Sequence, residues 1–88
     1  MGQDDKKEDF LMLSAEEWNE KFRKRLSARM ELIGITNREL ARRIYLSEKT
    51  VGSYRNGVRT PTAYTITLMA EALDCTIEYL IGNMEEEQ

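Results

Sequence analysis

One pattern occurs four times in this chain and leaves little freedom for anything but helices. It is an apolar residue, a Ser or Thr, three further residues and a second apolar residue: Leu13-Ser14 with Trp18, Ile35-Thr36 with Leu40, Leu46-Ser47 with Val51, and Cys75-Thr76 with Leu80. A hydroxyl so placed accepts a hydrogen bond from an amide one turn into a helix, and the flanking apolar pair closes over the entry as a staple. Glu17 and Glu39 stand three residues after their caps, where a carboxylate reaches back to the cap's own amide and completes a capping box.

The stops are as plain as the starts. Trp18, Phe22, Leu26, Met30 and Ile33 recur every three or four residues before Gly34, which predicts a first helix over 15–33 with a left-handed glycine at its end. A short second helix is expected over 37–44 and a third over 48–55, closed by Asn56-Gly57. Thr62 can cap a fourth helix with Ile66, Met69, Ala70 and Leu73 on its inner face, and a fifth over 77–81 stops at Gly82. No segment alternates as a strand would. The expected architecture is all-α, five helices with short connections, in a domain over 14–82. An acidic, flexible tail (1–13) precedes it and a second acidic tail (83–88) follows.

An 88-residue chain has material for one core only, because it buries about two-thirds of its unfolded surface. One Cys and no His remove a disulfide framework, the usual zinc sites and the Cys-His or Ser-His catalytic pairs. Cys75, between apolar neighbours, reads as a small buried hydrophobe. Without a Gly-rich phosphate loop either, neither an enzyme nor a metal, cofactor or small-molecule ligand is expected. No apolar run approaches a membrane span, the start "MGQDDKKEDF" lacks the order of a secretion signal, and Lys6 spoils a myristoylation motif. A cytoplasmic protein, free of the membrane, is the expectation.

Charge is informative by region. Residues 1–20 carry two Lys against seven acids, 21–59 carry eleven Lys or Arg against three Glu, and 60–88 carry six acids and no base. A basic middle between acidic ends points to a local patch for a polyanion, on this reading carried by the second and third helices. Those two are joined by only about three residues, "YLS", so they pack at a steep angle, with the small Ala41 letting the backbones approach. The third buries Val51 and Tyr54 and leans on Leu46. Its other side, Glu48, Lys49, Gly52, Ser53 and Arg55, has nothing to bury, which makes it a face for a polar partner.

The stretch "TNRELARRIYLSEKTVGSYRNGVRTP" resembles the helix-turn-helix of the phage-repressor and Cro type, the XRE family. Leu40-Ala41, Ser47, Thr50-Val51, Asn56-Gly57 and Pro61 stand at the matching positions, and "TLMAEALDCTIEYLIG" resembles the family's fourth and fifth helices. The likeness covers about residues 22–82 and implies a compact five-helix bundle of the lambda-repressor-like type. Three residues depart from the pattern. Tyr45 holds the turn position usually given to Gly, at a strain of about 1 kcal/mol if φ stays positive. Gly52 is either a clearance for DNA or a weak spot in the helix. Arg55 replaces a common acid.

The resemblance implies that the third helix enters the major groove of double-stranded DNA. Glu48, Lys49 and Ser53 then read bases: Lys suits guanine, Glu suits the cytosine amino group, and Ser is permissive. Glu48 has a second reading, as an acid favouring the helix dipole. Thr36, Asn37, Arg38, Thr50, Tyr54, Arg55, Asn56 and Arg59 are implied at the DNA backbone, with Arg42 and Arg43 beside them. One short helix reads too few base pairs alone, so a homodimer on two half-sites is implied. Ile77, Leu80, Ile81 and Met84 are its candidate contacts, or equally core. The leading function is a transcriptional regulator, chiefly a repressor. An interaction module or antitoxin component using the same fold is the alternative. In a third reading the acidic start, with Phe10, Leu11 and Leu13, forms an arm over the basic face.

Overall fold

A computed structural model describes residues 14–82, and within them the chain forms α1 (Ala15–Ile33), α2 (Asn37–Arg43), α3 (Glu48–Asn56), α4 (Ala63–Ala72) and α5 (Ile77–Leu80). The two tails expected at 1–13 and 83–88, and Met84 with them, lie outside the described residues. Every helix starts on a hydroxyl that accepts an amide hydrogen bond: Ser14 from Glu17 at 3.0 Å, Thr36 from Glu39, Ser47 from Thr50 and Thr62 from Thr65 at 3.1 Å, and Thr76 from Tyr79 at 3.0 Å. The Glu17 and Glu39 carboxylates accept the return bonds from the Ser14 and Thr36 amides. Each such cap stabilises its helix by about 1 kcal/mol. Residues 44, 56 and 81 fall one place across the expected boundaries, Ile44 and Ile81 serving as C-caps and Asn56 joining α3.

Gly34, Gly57 and Gly82 turn left-handed after α1, α3 and α5. The other two stops use side-chain residues. Tyr45, at φ 62°, does keep the positive φ that its turn position demands, and Asp74 takes φ 54° after α4. Asp tolerates that region better than most, and here it lets the Cys75 amide reach the Ala70 carbonyl at 3.0 Å, the wide closing bond of a Schellman ending.

The core joins Phe22, Leu26 and Met30 of α1 to Leu40, Ala41 and Ile44 around α2, Val51 and Tyr54 of α3, Ile66, Met69 and Ala70 of α4, Leu73, and Leu80 of α5. Trp18 stacks on Phe22, ring centres 5.5 Å apart, extending this core toward the start of α1. α2 packs chiefly against α3, while α1 supports α3 and α5 from behind. Leu46 remains 36% exposed, so the staple at the start of α3 closes only partly.

The C-terminal ends of α4 and α5 carry no basic residue of their own and are capped by arginines from other elements. Arg29 donates from Nε to the Leu73 carbonyl at 2.8 Å and from Nη2 to the Asp74 carbonyl at 2.7 Å. Arg43 reaches the Ala72 carbonyl at 3.2 Å, and Arg25 the Tyr79 carbonyl at 2.9 Å while lying over the Tyr79 ring. These carbonyls would otherwise be the orphans of a helix end, where the dipole also favours a cation.

Candidate nucleic-acid interface

The α2–α3 pair is set by its turn. The Leu46 amide donates to the Ala41 carbonyl at 2.9 Å, and Ala41 is nearly inaccessible, as a small residue at a close crossing must be. Tyr45 makes the corner and projects outward, 87% exposed. With Val51 fully buried on one side of α3, the opposite side necessarily faces out: Glu48 and Lys49 are exposed, and Gly52 and Ser53 half-buried.

Behind α3 the chain folds back. The Ser53 carbonyl accepts from the Val58 amide at 2.9 Å and the Arg59 amide at 3.2 Å, which holds exposed Arg59 beside the last turn of α3. Asn19 of α1 braces this loop by donating from Nδ2 to the Gly57 carbonyl at 3.1 Å. Gly57 is required by its φ of 80°, and a Cβ there would also crowd the Arg23 side chain at 3.1 Å, which would have to shift slightly. Asn19 and Arg23 are thus part of the interface's support. No local pattern could have marked them, because they lie in α1, far along the chain.

Of the residues expected at the DNA backbone, Arg38, Asn56 and Arg59 are exposed, as is Thr36. The Thr50 hydroxyl lies 2.8 Å from that of Ser47 and is tied to the cap. Two residues stand elsewhere than expected. Tyr54 is a core residue, 7% exposed, because its position in α3 falls on the same face as Val51. Arg55 is turned inward: it donates from Nε to Ser27 Oγ at 3.0 Å and from Nη1 to Asn37 Oδ1 at 2.7 Å, with Glu31 3.6 Å from Nη2. Among the dimer candidates, Leu80 is fully buried in the core, Ile81 is half-buried and Ile77 is 40% exposed.

The basic segment is also divided differently from the reading that put it on α2 and α3. Five of its eleven cations, Lys21, Arg23, Lys24, Arg25 and Arg29, belong to α1. Arg23 and Lys24 pair with Glu20 at 2.8 and 3.3 Å, and their hydrogen bonds hold the Glu20 carboxyl below its ordinary pKa. Arg38, Arg42, Lys49 and Arg59 form no hydrogen bond or ion pair among the described residues. They are the cations this surface has to offer.

Burial raises the Cys75 thiol pKa, in keeping with an apolar packing role. Among the described residues, no group of three or more His, Cys, Asp or Glu could hold a metal ion, and no helix is long and apolar enough to cross a membrane. In comparisons with known proteins, a family model described as helix-turn-helix matches residues 26–80. No curated protein and no solved structure matches the chain.

Proposed function

Because the chain belongs to the XRE/Cro-type helix-turn-helix family of DNA-binding regulators, we propose that it is a sequence-specific repressor that reads the major groove with α3 as a homodimer. The observation that carries this reading is the outer face of α3. Glu48 and Lys49 are exposed there and have no bond to any described residue beyond the helix itself, although a charged group so placed is free to find one. Lys49 offers donors to guanine O6 or N7, Ser53 lies one turn further along, and Glu48 accepts from a cytosine amino group. Arg38, Arg42 and Arg59 surround them as phosphate ligands, with Thr36, Asn37, Thr50 and Asn56 as polar neighbours.

A helix of 9 residues is only about 14 Å long, so a useful operator requires two copies spaced by one DNA turn. Ile77 and Ile81 are the surface proposed for pairing. Such a protein acts without catalysis or cofactor, by occupying its site.

The test is selection from a random duplex library at two salt concentrations, with wild type and the Lys49→Ala, Ser53→Ala double variant. A palindrome enriched by wild type and lost by the variant is the expected result. Weak, unselective binding that collapses with salt would favour the second reading, an interaction module or antitoxin component. The observation supporting that alternative is the set of large apolar side chains left outside, with Tyr45 87%, Val58 75% and Tyr64 72% exposed.

A further inference from the structure

Arg55 occupies a place where a phosphate ligand was expected, yet its guanidinium is committed within the fold. Its side chain is 24% exposed and joins three helices, taking Ser27 of α1 and Asn37 of α2 as hydrogen-bond acceptors and Glu31 of α1 as a longer ion-pair partner. We propose that Arg55 is a positioning residue for DNA recognition, acting through the Asn37 amide rather than by touching DNA; this rests on the DNA-binding reading above.

The chemistry of the bond fixes the orientation. A guanidinium only donates, so the amide of Asn37 must turn its oxygen toward Arg55 and its Nδ2 the other way. Nδ2 lies 3.8 Å from where a Cβ on Gly52 would stand, and so over the half-buried outer turn of α3 between Lys49 and Ser53. It donates to no described residue. The two N–H groups of Asn37 are therefore offered at the junction of α2 with the face that reads DNA, where a phosphate or base edge can accept them. Without Arg55 the amide can flip or swing away, and the recognition surface loses a donor that it needs no new residue to make.

Two roles for Arg55 differ in what they do to salt dependence. A cation on a phosphate releases counterions and contributes about 0.9 to the slope of log K against log salt, whereas a residue acting through a neutral amide contributes none. Arg55→Gln, Arg55→Lys, Asn37→Ala and the Arg55→Gln, Asn37→Ala double variant would be titrated with the selected operator at several salt concentrations, below the unfolding temperature of each. The expected loss is about ten- to hundredfold for either single Gln or Ala variant. The double should lose no more than the worse single, and the slope should stay unchanged. Arg55→Lys, which keeps the charge but cannot span Ser27 and Asn37 together, should lose as much as Arg55→Gln.

A slope that falls by about one unit, additive losses and rescue by Lys would overturn the proposal in favour of direct phosphate contact. A DNA-free arm separates this from failure of the functional reading: the Asn37 side-chain amide signals in ¹⁵N NMR of the free protein should be ordered in wild type and mobile in Arg55→Gln. If no operator is ever selected, the DNA reading fails while the NMR arm still decides whether Arg55 orients Asn37. Equal order in both proteins overturns the orientation itself.

Discussion

The C-terminal end of α4 and the outer face of α3 are both supplied with cations, and the fold uses them in opposite ways. At the end of α4, Arg29 and Arg43 converge on three successive carbonyls, those of Ala72, Leu73 and Asp74. Lys49 of α3, Arg38 and Arg42 of α2, and Arg59 after α3 meet no acceptor among the described residues. A helix-end carbonyl and a phosphate oxygen ask for the same donor. Which of them a given arginine serves depends on where an unpaired acceptor lies in the fold, and not on the local density of charge.

That contrast can be broken by mutation. Arg29→Ala removes two charge-assisted bonds and strands two carbonyls, so thermal or urea unfolding should show a loss of about 2–3 kcal/mol, with operator affinity per folded molecule unaltered. A folded Arg29→Ala protein with a shallower salt slope for DNA would mean that the α1 cations also reach the backbone. Lys49→Ala should do the reverse. Its stability should stay within about 0.5 kcal/mol of wild type, while discrimination at one base pair of the operator weakens by about 1–3 kcal/mol, read by competition with single-base variants.

Two smaller changes sharpen the picture of the α2–α3 unit. A Cβ at position 52 would meet only the Asn37 amide, at ordinary contact distance, so nothing within the described fold requires glycine there. Gly52→Ala should therefore raise stability by about 1 kcal/mol through helix propensity, as measured by unfolding, and a loss instead would reveal an unseen clash. Tyr45→Gly relieves a positive φ at the exposed corner but frees the unfolded chain, and its net gain should be no more than about 1 kcal/mol.

The smallest effect concerns acid. Arg23 and Lys24 lower the folded pKa of Glu20 by hydrogen bonding. Its contribution is present above the unfolded carboxylate pKa and is lost as pH falls through the folded one. The pair is a surface one and weak. Glu20→Gln should flatten that acid limb of the stability curve slightly and leave neutral-pH DNA binding alone, which paired denaturation curves across the acidic range would check.

Much of the fold is written in short-range chemistry. Ser14, Thr36, Ser47, Thr62 and Thr76 each cap an amide three residues away, and Gly34, Gly57 and Gly82 end helices by their own backbone freedom. Such bonds form between neighbours in any fold that contains the helix, so spacing alone exposes them. The outward face of α3 was legible in part: once Val51 points in, Glu48 and Lys49 go out, whereas Arg55, expected on the same side, turns inward and Gly52 and Ser53 are half-buried.

Tertiary structure decided the rest. Arg55 finds Asn37 across 18 residues and Ser27 across 28, and Arg29 finds Leu73 across 44. Leu80 became core because α1 and its neighbours close over it, although its sequence position suited a dimer surface equally well. Local spacing sets the helices, their hydroxyl starts and their glycine stops, because those interactions join near neighbours. Whether each arginine holds the protein together or remains available to DNA was settled only when distant helix ends brought their unpaired carbonyls within reach.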